Sequence, residues 1–193
     1  MIIGITGGTG CGKTTLLNLI WERGGLVLDC DAIYHELLQR DAALLAAIED
    51  RFPGTVENHQ LQRKKLGQIV FSDKDALLAL NQITHAAIHD EVMKQLALRP
   101  RLAAIDAIGL FESGLDALCD VTVAVTAPVD VRIQRLMARD GISAAYAQSR
   151  IEAQPTDDYF RKMCTYALEN DRNEGVFQAK CLAFFKELGI MKV

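Results

Sequence analysis

The chain has 193 residues, 50% of them hydrophobic and 24% charged, with a formal net charge of −4 at pH 7. That length supports one sizeable core and a small insertion. The acidic balance argues against non-specific binding to nucleic acid, and no apolar run reaches the length of a membrane span.

The five cysteines, Cys11, Cys30, Cys119, Cys164 and Cys181, are odd in number and scattered. They form no C-x-x-C pair and no metal-ligand spacing, which reads as reduced thiols in a cytoplasmic protein. The chain opens on a core strand, so no signal peptide is expected.

Ile2-Ile3-Gly4-Ile5-Thr6 reads as a short buried strand, and Thr14 to Arg23 as a helix. Between them, Gly7-Gly8-Thr9-Gly10-Cys11-Gly12-Lys13-Thr14 fits G-x-x-x-x-G-K-[ST] without a mismatch. Strand, glycine loop and helix follow in the order a phosphate-binding P-loop requires. Such a loop wraps an anion in backbone N–H groups, and the helix N-terminus adds partial positive charge. Gly8, Thr9, Gly10, Cys11, Gly12, Lys13, Thr14 and Thr15 are therefore the candidate nucleotide-binding residues. Lys13, an exposed loop lysine in this reading, reaches the β- and γ-phosphates, and the Thr14 hydroxyl ligates Mg²⁺. Cys11, inside the loop, has two readings: an exposed thiol open to oxidation, or a residue that simply occupies a variable position of the motif.

Leu26-Val27-Leu28-Asp29 is the second strand and runs into Cys30-Asp31. From about Ala32 to Arg99 only helical periodicity is legible: Asp31 to Leu38, Ala42 to Ile48, Gln62 to Val70, and a long helix from Asp73 to Leu98. This is a mostly helical insertion. Three further strands follow at Leu102–Asp106, Val121–Thr126 and, most weakly, Cys164–Leu168, with a final amphipathic helix from Val176 to Leu188. Apolar strands alternating with helices imply an α/β fold, a parallel five-stranded sheet flanked by helices.

Ligands of open α/β sheets sit beyond the carboxyl ends of the strands. Asp29, Asp31, Asp106 and Glu112 lie there, and a carboxylate in that place orients a hydroxyl, takes its proton or holds Mg²⁺. Asp31 has a competing role as the N-cap of the next helix. Asp106 is followed by Ala107 rather than Glu, unlike the acid pair of motor ATPases. Arg132, Arg135 and Arg139 fall at i, i+3 and i+7, on one helical face. A solvated face and a phosphate-facing one are equally open for Arg132 and Arg135. Arg139 ends its helix before Gly141-Ile142-Ser143, where a lid spanning 139–156 begins. His85 and His89 share a helical face without a third ligand.

Together these motifs resemble the dephospho-coenzyme A kinase family over nearly the whole chain. Ile5 to Thr15 looks like that family's P-loop, and Leu28-Asp29-Cys30-Asp31 like its D-x-D. Leu61 to Phe71 and Ile83-Thr84-His85 resemble signatures of its helical substrate domain. Leu110-Phe111-Glu112-Ser113, Arg139-Asp140 and Gln154 also fit. The chain departs from the pattern at Ala86, Ile108, Cys164-Thr165 and Glu169, and Phe160 stands where a basic residue is expected, with Arg161 beside it. The resemblance implies a P-loop nucleotide kinase fold with a nucleotide-binding core (1–31 and 99–193) and a substrate-binding insertion (32–98). It implies ATP and Mg²⁺, with dephospho-coenzyme A as the small-molecule partner and no nucleic acid or membrane partner. Lys13, Asp31 and Arg139 would be catalytic, and Asp31, His85 and Glu112 would contact the substrate. Another P-loop metabolite kinase, or a nucleotide-binding relative without turnover, stays open. A GTPase switch is excluded by the lack of N-K-x-D after a late strand.

Overall fold

The computed structural model describes residues 1–171 and 173–190. Its elements, in chain order, begin with β1 (Ile2–Thr6), α1 (Lys13–Trp21) and β2 (Leu26–Asp29). The insertion contributes α2 (Cys30–Arg40), α3 (Ala42–Arg51), β3 (Val56–Glu57), β4 (Gln60–Leu61), α4 (Arg63–Val70) and α5 (Lys74–Leu96). There follow β5 (Ala103–Asp106), a 3₁₀ turn, β6 (Val121–Thr126), α6 (Val129–Asp140), α7 (Ala144–Glu152), α8 (Asp157–Met163), β7 (Tyr166–Glu169) and α9 (Glu174–Glu187). The chain divides into two compact units, residues 1–27 with 100–193, and residues 28–99, the boundary falling within β2.

The five strands form one parallel sheet in the order β2-β5-β1-β6-β7. The central β1 pairs with β5 from Ile2 opposite Ala103 and with β6 from Ile3 opposite Val121. Ile3, Ile5, Val123 and Val125 are fully buried because helices and connecting segments cover both faces. On one face Leu16, Leu17 and Ile20 of α1 join Phe177, Phe184 and Phe185 of α9 in a single apolar cluster with those strand residues. The expected C-terminal helix is thus in place, with Phe177, Cys181, Phe184 and Phe185 as its inward side.

In the second unit α2, α3 and α4 pack against the long α5. Leu37, Leu44, Ile48, Leu66, Val70 and Val92 form its interior. Arg40 Nη2 lies 3.1 Å from Glu91 Oε1.

Three differences from the sequence reading have local causes. The insertion is not purely helical: β3 and β4 pair as a two-residue hairpin. Its turn, Asn58-His59, takes left-handed backbone at both positions (φ 50° and 59°), as a type I′ turn requires. Without a glycine it carries no turn signal. Glu49 fastens the approach by accepting from the Gly54 and Val56 N–H groups at 2.6 and 2.7 Å. The last strand begins at Tyr166, not Cys164, because the Cys164 N–H donates to Phe160 and so closes α8, a helix with no expected counterpart. Finally, the N-cap of α2 is Asp29, not Asp31.

Candidate active site

The P-loop starts where β1 ends, beside β6. At Gly7 φ is +138° and a Cβ would stand 2.1 Å from the Val125 carbonyl oxygen, so no side chain fits. No side chain caps α1, an arrangement that suits an anion at its first turn. Lys13 Nζ donates to the Gly7 carbonyl at 2.9 Å and stands 3.8 Å from Asp106 Oδ1 at the end of β5. Its side chain is only 14% exposed, so it is a fixed charge rather than the exposed lysine expected. Thr14 is exposed in the first turn of α1, and its hydroxyl and the Asp106 carboxylate are the oxygen chemistry that suits Mg²⁺.

A loop that turns its N–H groups to an anion turns its carbonyls the other way, and each is met. Arg132 Nε donates to the Thr9 carbonyl at 2.9 Å. Arg135 Nη1 reaches the Gly10 and Cys11 carbonyls at 3.3 and 3.4 Å. Asn170 Nδ2 donates to Cys11 O at 2.9 Å, and Arg135 Nη2 to Asn170 Oδ1 at 3.0 Å. The Thr9 N–H is taken at 2.7 Å by Gln154 Oε1. Arg132 and Arg135 therefore face the loop and not solvent, because this side of α6 packs under it.

Arg132 is 2% exposed and its Nη1 pairs with Asp157 Oδ1 at 3.2 Å. Burial pushes the Asp157 carboxyl up, an effect that Arg132 opposes. Arg132 Nη2 has no hydrogen-bond partner among the described residues, and a Cβ at Gly8 would stand 2.2 Å from it. Glycine at position 8 is thus the space the guanidinium fills. Cys11 is fully buried and burial pushes its thiol up, so of its two readings the exposed, oxidisable one fails.

Arg139, third on the arginine face, turns away. Its Nε and Nη2 donate to both oxygens of Asp140 at 2.7 and 3.0 Å. Arg150 Nη1 adds a bond to Asp140 Oδ2 at 2.7 Å. These bonds, Arg139's first, hold the Asp140 carboxyl down at about 2. The Arg139 side chain remains 61% exposed.

Glu112 accepts at 2.8 Å from the Tyr159 hydroxyl of α8, and that bond raises the phenol. Arg161 donates to Thr126 Oγ1 at 2.7 Å and to Glu169 Oε1 at 3.2 Å, while Phe160 is buried. The basic group near the family's expected position therefore ties the ends of β6 and β7. Tyr159 and Asp157 escaped the sequence reading, which held no signal for either.

In the second unit, Asp29 Oδ1 accepts from the Asp31 and Ala32 N–H groups, both at 3.0 Å. Capping needs nothing further, and the Asp31 side chain is exposed on the first turn of α2. His85 is half-buried on α5.

The dephospho-CoA kinase family model matches residues 1–175. The chain belongs to the dephospho-CoA kinase family. It is 32% identical to a dephospho-CoA kinase of Lactobacillus johnsonii over 193 residues, covering 97% of this chain and 98% of that one. It is 38% identical to that of Anaeromyxobacter dehalogenans over 175 residues, 88% of this chain and 83% of the relative. The crystal structure of TT1252 from Thermus thermophilus superposes with a TM-score of 0.81 at 31% identity, covering 100% of this chain and 98% of that one. Membership makes the protein a nucleotide-binding transferase with a P-loop kinase fold. Among the described residues no helix is long and apolar enough to cross a membrane.

The pair of buried Arg132 with half-buried Asp157 gives a stability test. Arg132→Met strands the Asp157 carboxylate and the Thr9 carbonyl, at a cost of roughly 3 kcal/mol. For a chain of this size that is a fall in Tm of about 6–12 °C. Adding Asp157→Asn removes the stranded charge, so the double variant melts above Arg132→Met. A double variant that melts lower, or an Arg132→Met protein as stable as its parent, contradicts the pairing.

Proposed function

We propose that this kinase transfers the γ-phosphoryl group of ATP to the ribose 3′-hydroxyl of dephospho-coenzyme A, giving coenzyme A and ADP, the last step of coenzyme A synthesis. The observation that carries the reading is the division of labour at Asp29-Cys30-Asp31: Asp29 caps α2, which leaves the exposed Asp31 carboxylate for chemistry. Membership of the family supplies the substrate class.

In this reading the loop from Gly8 to Thr15 binds ATP, and its stretch from Gly10 to Thr15, with the start of α1, holds the phosphates through N–H groups. Lys13 is positioned by Gly7 and Asp106 to meet the β- and γ-oxygens. Asp31 accepts the proton of the 3′-hydroxyl as that oxygen attacks phosphorus in line, and the ADP oxygen leaves. Thr14 would hold Mg²⁺, which neutralises phosphate oxygens when bound. Arg139 stabilises the charge spread over the transferring group, acting from a lid at 139–156. Glu112, steadied by Tyr159, and His85 contact the acceptor, and the insertion at 32–98 grips it. Cys11, Cys119, Cys164 and Cys181 are thiols rather than halves of disulfides, which suits a reducing cytoplasm.

Two variants test the roles. Lys13→Met keeps the aliphatic stem and loses the charge, so kcat falls about 10²–10³-fold. Near-parental turnover would remove Lys13 from the reaction. Asp31→Asn preserves shape and, with Asp29 as the cap, leaves Tm unchanged. It cannot accept the hydroxyl proton, so kcat falls by about 10²–10⁴-fold. Steady-state ADP release with and without dephospho-coenzyme A, beside a thermal melt, reads both. Unchanged kcat in a stable Asp31→Asn protein shifts the base to Asp106 or Glu112. Mass spectrometry of the product shows one added phosphoryl group. A protein that ignores dephospho-coenzyme A and phosphorylates another metabolite overturns the substrate.

A further inference from the structure

Glu112 and Tyr159 belong to the unit that carries the P-loop. They are 47 residues apart and meet through one hydrogen bond of 2.8 Å, the phenol donating to Glu112 Oε1. Glu112 stands on the turn after β5, and that turn hangs from the end of β1. The Ala107 N–H donates to Ile5 O at 3.1 Å, and Thr6 Oγ1, immediately before the loop, donates to Ile108 O at 3.1 Å. Ser113 closes the turn on the Gly109 carbonyl, through its N–H at 3.0 Å and its Oγ at 2.7 Å. The backbone under Glu112 is therefore fixed. Its side chain is exposed, and a free glutamate there would sample many rotamers.

Tyr159 supplies the missing constraint, because α8 is itself tied down along its length. Thr156 Oγ1 caps the helix by accepting from the Tyr159 N–H at 3.2 Å. Asp157 pairs with Arg132 at 3.2 Å. Phe160 is fully buried, and the half-buried Tyr159 ring meets it edge to face at 5.5 Å. Arg161 Nη2 donates to Thr126 Oγ1 at 2.7 Å. The phenol is thus a donor on a fixed arm, and it holds a side chain that nothing else in the unit restrains.

The charge of the pair says what it can meet. The phenol satisfies Oε1 alone, and Oε2 has no hydrogen-bond partner among the described residues. Nor does any described cation form an ion pair with Glu112; Arg161, the nearest in sequence to Tyr159, is spent on Thr126 and Glu169. A neutral donor fixes the carboxylate without cancelling its charge, where a lysine or arginine would have done both. The pair therefore keeps one negative charge and one open acceptor. It attracts an uncharged donor, with the strength of a charge-assisted bond, and repels a phosphate. The reacting end of dephospho-coenzyme A offers such donors in its ribose hydroxyls.

We propose that Tyr159 is a positioning residue, which fixes the Glu112 carboxylate so that Oε2 accepts from a ribose hydroxyl of the acceptor. The inference rests on the proposed activity and on Glu112 as an acceptor contact. It gives α8 a part in acceptor selection through a neutral hydroxyl, beside the Phe160 that stands where a basic residue was expected.

The test is a double-mutant cycle read in steady-state KM. Tyr159→Phe removes the hydroxyl and keeps the ring against Phe160. KM for dephospho-coenzyme A then rises roughly 3–10-fold, the size of one hydrogen bond, while KM for ATP is unchanged. Tm falls by no more than about 4 °C. Glu112→Ala also raises KM for dephospho-coenzyme A, and in that background Tyr159→Phe adds nothing. Glu112→Gln keeps the oxygen that the phenol needs and removes the charge, so KM for the acceptor rises again. A fall in KM with Glu112→Gln places a phosphate beside the carboxylate and overturns the hydroxyl assignment. An equal rise in both KM values with Tyr159→Phe, or the same rise in the Glu112→Ala background, makes Tyr159 a prop of the fold and overturns its positioning role. A parent protein inactive on dephospho-coenzyme A and active on another acceptor strikes the activity, and with it this assignment. An active parent with an unmoved Tyr159→Phe variant strikes the positioning role alone.

Discussion

A backbone that offers N–H groups to an anion must present its carbonyls elsewhere, and an unmet buried carbonyl costs about as much as a lost hydrogen bond. This constraint organises the nucleotide side of the molecule. The loop's own Lys13 meets Gly7 O, while Arg132, Arg135 and Asn170 meet Thr9, Gly10 and Cys11. The donors are cations or an amide carried on α6 and at the end of β7, so the loop's shape is held from both elements. Thr9 is held on both sides of its peptide, by Gln154 at N–H and Arg132 at C=O. Fixed donors of this kind need no reorganisation when charge develops, which is the condition for electrostatic catalysis.

The cations that brace the loop also place positive charge beneath it. Lys13 and Arg132 each have a carboxylate partner, Asp106 and Asp157. Those partners hold the side chains in one geometry and limit the cost of burying charge without an anion present. Arg135 differs, because its bonds run to backbone oxygens and to the Asn170 amide, which are dipoles rather than a carboxylate. The loop thus rests on one neutralised guanidinium and one that is only solvated by carbonyls.

The loop itself was legible because its determinants are eight consecutive residues, Gly7 to Thr14, between a strand and a helix. Its bracing was not, since Arg132 and Thr9 are 123 residues apart and the i, i+3 spacing of Arg132 and Arg135 fits a solvated face equally well. Only the packing of α6 chooses. At Asp29-Cys30-Asp31 the pattern D-x-D was visible, but which aspartate caps depended on a one-residue choice of helix start, and boundaries are the least certain part of a pattern. The Asn58-His59 hairpin was hidden for want of glycine. The β7 boundary was hidden because Cys164 and Thr165 look as strand-like as Tyr166, and the stop is set by the end of α8.

The arginine that the sequence singled out, Arg139, is the one least committed to the loop. Its guanidinium is spent on Asp140, yet Asp140 also holds Arg150. Two cations on one carboxylate leave a net positive charge at the end of α6, and a carboxyl held at about 2 stays ionised at any working pH. Release of Arg139 towards a phosphate does not strand Asp140, because Arg150 keeps one of its oxygens satisfied. The exchange costs one exposed pair, a class of interaction worth about 0–1 kcal/mol, and a transferring phosphoryl group is the stronger anion. An arginine held in this way leaves its carboxylate only where a stronger anion competes for it.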